Sequence, residues 1–235
     1  MQLPVIILAG GKGTRVKKIT KNYPKALLKF YDKPFIEYQI NYLIKQNVKE
    51  IIVSIRYKPK EFIEYFKKKK FDNIKIRIIK DGKDLVGTGG AVKKILNKIN
   101  QSCFIIYGDS YLPINFSKIK DTFLKNKKKP IMVIYKNNNK FDKSNVYIKG
   151  NKFIYDKFNK TKKMQYIDYG LSILNSKDFK SFKNKKSFDL SEVYNKLSIE
   201  NKMYYKKVNK KFYEIGSYGG IKNFKRYIKK NEIHK

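Results

Sequence analysis

Continuous apolar runs alternate along the first half of the chain with segments whose apolar residues recur every three or four positions, so strands and helices are predicted in turn. Val5-Ile6-Ile7-Leu8 has no polar break, as in a strand covered on both faces. Residues 26–30 are a short apolar stretch, and Pro34 behind Asp32-Lys33 marks a helix start. In the segment 35–46, Ile36, Ile40, Leu43 and Ile44 fall on one helical face. Residues 51–55 read as a second buried strand. Pro59 then opens a helix carrying Phe62, Ile63 and Phe66, and the lysines of 67–70 suit its C-terminus. Residues 74–79 read as a third strand. This order predicts a parallel sheet with helices on both faces.

Two glycine-rich segments interrupt the pattern. The first, Gly10-Gly11-Lys12-Gly13-Thr14-Arg15, follows the first strand. Its glycines let the backbone turn tightly and bring N–H groups close to an anion, and Lys12 and Arg15 add positive charge to the same concavity. Arginine's planar fork suits a polyphosphate. A P-loop spacing is absent, and a Rossmann fingerprint read from Gly11 puts Val16 where its third glycine or alanine belongs. The second segment, residues 81–91, opens a helix with Val92, Ile95, Leu96 and Ile99 inward. Residues 103–107 form a fourth strand that ends at Gly108-Asp109-Ser110. Both glycine segments and Asp109 thus follow strands, and in open α/β sheets the ligand crevice lies outside the carboxyl ends of the strands.

The second half is less periodic. Strand-like pieces at 131–135, 146–148, 153–155 and 166–174 are separated by Asn/Lys-rich turns, with short helices near 188–197 and 221–228. An antiparallel extension of the sheet is expected. At 235 residues one domain is the simplest reading, with a nucleotide-binding half (1–125) and an acceptor-binding half (126–235).

The net charge of +37 would ordinarily point to nucleic acid or an anionic membrane. Here the excess is nearly all lysine, runs from end to end, and accompanies abundant Asn, Ile, Tyr and Phe without Trp, a mixture that fits a coding bias towards A and T bases. The charge is therefore read as solvated surface, with no specific nucleic-acid partner. Cys103 is the only cysteine, which excludes an intrachain disulfide. With no signal-like or membrane-spanning stretch, a soluble cytoplasmic protein is expected, and a homo-oligomer is left open. The one histidine, His234, lies at the C-terminal end.

In order along the chain stand Leu8-Ala9-Gly10-Gly11-Lys12-Gly13-Thr14-Arg15, Pro24-Lys25-Ala26-Leu27, Lys33-Pro34-Phe35-Ile36-Glu37, Gly87-Thr88-Gly89-Gly90-Ala91, Tyr107-Gly108-Asp109, Tyr155-Asp156-Lys157 and Tyr213-Glu214-Ile215-Gly216. Each is weak alone, but in this order the chain resembles the sugar-phosphate nucleotidyltransferases. The resemblance implies an α/β fold of the Rossmann-like, GT-A type, with a mixed, mostly parallel sheet flanked by helices. It implies attack of an acceptor phosphate on the α-phosphorus of a nucleoside triphosphate with release of pyrophosphate. It also assigns roles. Leu8, Ala9, Gly10, Gly11, Lys12, Gly13, Thr14 and Arg15 hold the nucleotide, together with Gly87, Thr88, Gly89 and Gly108. Arg15 and Lys25 are the catalytic pair. Asp109 and Glu214 are the ligands of Mg²⁺, with Glu214 where the family usually has Asp. Lys25, Asp156, Lys157 and Asp168 bind the acceptor.

Two departures bear on that acceptor. Phe158 replaces a proline of the family, and Asp168-Tyr169-Gly170 stands where sugar-binding members usually have an Asn-Ala-Gly-like segment. A carboxylate there accepts from sugar hydroxyls or pairs with a cation, which opens phosphocholine or a phosphorylated amino acid as acceptors. The chain also looks similar to the CTP:phosphoglutamine cytidylyltransferases of capsule phosphoramidate biosynthesis. The reading accordingly leans to CMP transfer from CTP, with a sugar 1-phosphate acceptor as the alternative. A basic nucleic-acid-binding protein and a nucleotide sensor without chemistry are the rivals from other classes.

Overall fold

The apolar runs of the first half lie side by side as the parallel strands that their patterning predicts. The computed structural model describes residues 2–21, 23–82, 86–140, 142–150 and 152–231. The order is β1 (Val5–Leu8), α1 (Lys17–Thr20), β2 (Lys29–Phe30), β3 (Lys33–Pro34), α2 (Phe35–Lys45), β4 (Glu50–Ile55), α3 (Pro59–Lys68), β5 (Lys75–Lys80), α4 (Gly87–Ile99) and β6 (Cys103–Tyr107). It continues with β7 (Ser110–Tyr111), α5 (Phe116–Lys125), β8 (Ile131–Lys136), β9 (Val146–Lys149), β10 (Lys152–Tyr155), β11 (Tyr166–Leu174), α6 (Leu190–Ile199), β12 (Tyr204–Val208), β13 (Tyr213–Glu214) and α7 (Tyr218–Asn231). His234 lies outside the described residues.

Among the described residues nine strands form one sheet. β5, β4, β1 and β6 are parallel neighbours, β11 runs antiparallel beside β6, and β8 and β12 follow beyond it. β1 therefore lies between strands reached by crossovers in opposite directions, the place where an open α/β sheet forms a crevice. The strand period of two sorts side chains between the faces. Val5 and Ile7 join Ile36, Ile40, Leu43, Phe62 and Phe123 on one face. Ile6 joins Val92, Ile95, Leu96, Val193 and Leu197 on the other. The result is a mixed, mostly parallel sheet between two helical layers. A third, smaller cluster gathers Phe30, Phe35, Tyr38, Tyr111, Ile215, Phe224 and Ile228, and it seats α7 against the edge of α2.

Local interactions set the helices. Buried Glu37 in the first turn of α2 accepts from the Tyr65 hydroxyl at 2.6 Å and from Lys69 Nζ at 3.0 Å, tying α3 to α2. Asn115 caps α5 by accepting from Lys118 N at 3.0 Å. Several elements differ from the sequence reading. α5 and β12 add to it, and α7 begins earlier than residue 221. Gly87, Gly89 and Gly90, read as a loop, form the first turns of α4. Among the described residues no helix is long and apolar enough to cross a membrane.

Candidate active site

The ends of β1 and β6 are drawn together by the absence of a side chain at Gly108. Its N–H donates to Leu8 O at 2.9 Å, and a Cβ there would stand 2.9 Å from both Leu8 O and Ala9 Cα. Asp109 is thereby set beside the glycine loop. Buried Gln39, from α2, clamps the exit of β6 by donating to Tyr107 O at 2.9 Å and Ser110 O at 2.8 Å, so the backbone is fixed on both sides of Asp109. Gly13 takes the left-handed conformation (φ 64°), and its α-carbon packs over the Lys25 side chain, 3.3 Å separating Lys25 Cβ from where a Cβ would be. Lys25 Nζ donates to Asp109 Oδ2 at 2.5 Å, in an ion pair whose side chains are 14% and 26% exposed.

Glu214 arrives from the other end of the chain. β13 pairs with β7, Glu214 opposite Ser110, and Ile215 N donates to Asp109 O at 3.0 Å. The aromatic cluster under α7 holds this small ribbon in place, Phe224 meeting Phe35 edge-on at 4.8 Å. Glu214 accepts from Gly216 N at 2.5 Å and from the Ser217 hydroxyl, which turns its carboxylate towards the start of α7. Gly216 leaves a shared space. A Cβ there would stand 3.0 Å from Glu214 Oε2, 3.1 Å from an Arg15 Nη and 3.4 Å from Asp109 Oδ2.

Two cavities meet at this point. The smaller, of about 410 Å³, is lined by Leu8, Ala9, Gly10, Gly11, Lys12, Lys25, Gly87, Thr88, Gly108 and Asp109. Ser54, Arg56 and Asp81, none of them singled out from the sequence, line it too. The larger, of about 740 Å³, is lined by Arg15, Asp109, Lys157, Asp168 and Glu214. Thr88, Tyr107, Asp109 and Asp189 belong to both walls, which makes the two continuous. Among the described residues no backbone acceptor takes the amides of residues 10–14, and of these Gly10, Gly11 and Lys12 line the smaller cavity.

Not every expected residue is brought there. Gly13 and Thr14 line neither cavity, and Gly89 is buried beneath the Phe188 ring. The Asp156 carboxylate closes a turn, Oδ1 accepting from Phe158 N and Asn159 N at 2.8 Å each, and it lines a separate surface hollow. Asp168 sits in the wall of the larger cavity, where Oδ1 accepts from Gly170 N at 2.9 Å. Burial pushes its carboxyl up to about 6, while the Gly170 amide and the Lys157 charge pull against that shift. Asp81 and Asp189 carried a legible signal, since both are acids at the start of a segment following an apolar or turn region, but only the folded chain aims them into one cleft.

Among the described residues no three Asp, Glu, His or Cys side chains gather as a metal site. Mg²⁺ does not require three, because it usually takes one or two carboxylates together with substrate phosphates. Asp109 and Glu214, both bordering the space that a side chain at position 216 would fill, fit that donor set.

A family model described as Nucleotidyl transferase matches residues 4–217. The D-glycero-alpha-D-manno-heptose 1-phosphate guanylyltransferase of Campylobacter jejuni subsp. jejuni serotype O:2 is 36% identical over 201 residues, 83% of this chain and 88% of that protein. HddC from Yersinia pseudotuberculosis, solved in complex with GMP-PN, superposes with a TM-score of 0.78 at 24% identity, over 97% of this chain and all (100%) of that one. UDP-glucose pyrophosphorylase from Acinetobacter baumanii gives a TM-score of 0.82 at 14% identity, over 99% of this chain and 95% of that one. At such identities these two likenesses speak to the fold alone.

Proposed function

The chain belongs to the nucleotidyl transferase family of enzymes, and from that premise we propose that it makes an NDP-sugar, transferring a nucleotidyl group, GMP foremost, onto a sugar 1-phosphate. The observation that carries this reading is the meeting of Arg15, Glu214 and the Lys25–Asp109 pair where the two cavities join. The named relative supports a sugar 1-phosphate acceptor and guanylyl transfer over the CMP transfer to which the sequence leaned.

In the proposed reaction an acceptor phosphate oxygen forms a bond to the α-phosphorus, the α–β bridging bond breaks, and pyrophosphate leaves with the electron pair. The attacking phosphate is already ionised near neutral pH, so positioning and charge neutralisation outweigh proton transfer. The amides of residues 10–12 with Lys12 and Arg15 hold the triphosphate and neutralise the leaving pyrophosphate. Lys25, released from Asp109, attends the transferred phosphoryl group, Lys157 holds the acceptor phosphate, and Asp168 accepts from acceptor hydroxyls. Asp109 and Glu214 would hold Mg²⁺, which supplies charge neutralisation on the phosphates when bound.

One observation favours a second reading, transfer of CMP to a phosphate bearing an ammonium group: the Asp168 carboxylate in the acceptor wall. Pyrophosphate release separates the two, with GTP plus heptose 1-phosphate or mannose 1-phosphate in one arm and CTP plus phosphocholine in the other. Turnover is expected in the first arm, and Asp109→Asn should lower kcat on the order of 10²–10³-fold. An Asp109→Asn protein at full rate, or no release with any pair, would overturn the assignment.

A further inference from the structure

The smaller cavity has an acidic group that the proposed chemistry does not use. Asp81 follows β5, and its Oδ1 accepts from the Ser54 hydroxyl of β4 at 2.5 Å. Its Oδ2 takes no hydrogen bond among the described residues and lies 3.2 Å from where a Cβ on Gly10 would be. Gly10 has no Cβ, which lets the carboxylate pack close against it, and both residues line the smaller cavity just behind the phosphate-binding loop. In the sheet order β5-β4-β1-β6, Asp81 and Asp109 lie on opposite sides of β1, three strand spacings or roughly 14 Å apart at the strand ends. A nucleotide whose phosphates reach Asp109 past the glycine loop would carry its base to Ser54 and Asp81.

We propose that Asp81, oriented by Ser54, selects the nucleobase by accepting hydrogen bonds from an edge that carries an exocyclic amino group. The inference rests on the nucleotidyl-transfer reading and deepens it. An ionised carboxylate has acceptors only. Guanine offers it an imino and an amino N–H side by side, and cytosine offers an amino group. Uracil and thymine turn a carbonyl oxygen to one carboxylate oxygen wherever their single N–H meets the other. A wrong base therefore leaves a buried acceptor facing an acceptor, the kind of mismatch that discriminates far more strongly than a missing methylene. Burial pushes the Asp81 carboxyl up, but the Ser54 hydroxyl and the charges of Arg56 and Lys94 pull against it and favour the ionised, accepting form.

The test is isothermal titration calorimetry of the intact chain with GTP, CTP, UTP and dTTP in Mg²⁺ buffer. The unsubstituted protein should bind GTP or CTP at least tenfold more tightly than UTP and dTTP. Asp81→Asn keeps an oxygen for Ser54 but presents an amide donor to the base, so it should shrink that ratio at least tenfold and improve UTP relative to the others. Ser54→Ala, which only loosens the carboxylate, should shrink the ratio less, and melting curves report whether each variant is folded. Equal binding of all four nucleotides by the unsubstituted protein, or an unchanged ratio in folded Asp81→Asn, would overturn the role of Asp81 and leave nucleotidyl transfer standing. Binding of none of the four would overturn both.

Discussion

Asp168, in the wall of the larger cavity and proposed to bind the acceptor, is a residue at which binding would be set against stability. Its carboxyl is pushed up to about 6 by burial, whereas an unfolded aspartate releases its proton near 3.8. Between those values the folded chain binds more protons than the unfolded one, so stability is present below the window and lost as pH rises through it. Asp178, also pushed up to about 6 by burial, adds a second loss of the same sign. Asparagine at 168 keeps an oxygen for Gly170 N and removes the charge that burial opposes. Asp168→Asn is therefore expected to melt a few degrees higher than the parent at pH 7 and at about the same temperature at pH 4, while the KM for the acceptor rises. Thermal melts across pH 4–7 check this; an equal Tm difference at both ends would mean that burial of the charge is not the cause. From the sequence, Asp168 was visible as a departure from the family pattern. That it is half-buried could not be read, because β11 has an interrupted register with β8 between Asp168 and Ser172.

At the scale of elements, those whose signal is local were legible: β1 and β6 by unbroken apolar runs, β4 by an apolar run broken only at Ser54, α2 and α3 by their spacing and their prolines. What failed to show depended on partners distant in sequence. β12, Tyr-Tyr-Lys-Lys-Val, has neither an apolar run nor an alternating pattern and becomes a strand by pairing with β8. β7 and β13 are two residues each and exist through one another, yet they carry Glu214 to Asp109. α5 was missed although its signal is local, with Asn115 as cap and Phe116, Ile119 and Phe123 on one face. The start of α4 misled for a physical reason. Glycine is a poor helix former, so three glycines read as a loop, but here they let α4 approach the segment before α6. A Cβ on Gly87 would run into Phe188 O, and one on Gly89 into the Phe188 ring. Gly89→Ala should therefore cost about 1–3 kcal/mol by overpacking, despite alanine's better helix propensity. Phe188→Ala should lose packing alone yet recover part of the cost when combined with Gly89→Ala. Denaturant unfolding of the four proteins gives the cycle, and strict additivity would mean that the two residues do not meet.

Across the whole molecule, the two halves assigned from the sequence share their cores. Val5 and Ile7 pack in one cluster with Ile131, Val133, Tyr169, Leu171 and Ile173. Ile6, Val92 and Ile95 pack in the other with Met132, Ile134, Leu190 and Val193. Cutting after residue 125 would expose β6 along its whole pairing with β11 and strip both faces of the sheet, each large apolar side chain uncovered costing about 1.5–3 kcal/mol. Against a typical stability of about 5–15 kcal/mol, losing several such contacts leaves no margin. The net charge of +37 works the same way, since self-repulsion narrows that margin at low salt. The crevice needs both halves too, because Asp109 comes from one and Glu214 from the other. We therefore expect one cooperative unfolding transition for residues 1–235, coincident by far-ultraviolet circular dichroism and by the near-ultraviolet signal of the 19 tyrosines, there being no Trp (0) to follow. A fragment 1–125 should lack a cooperative melt. Two resolved transitions in the full chain, or a fragment that melts on its own, would show instead that each half keeps a core of its own and that the cleft forms by docking.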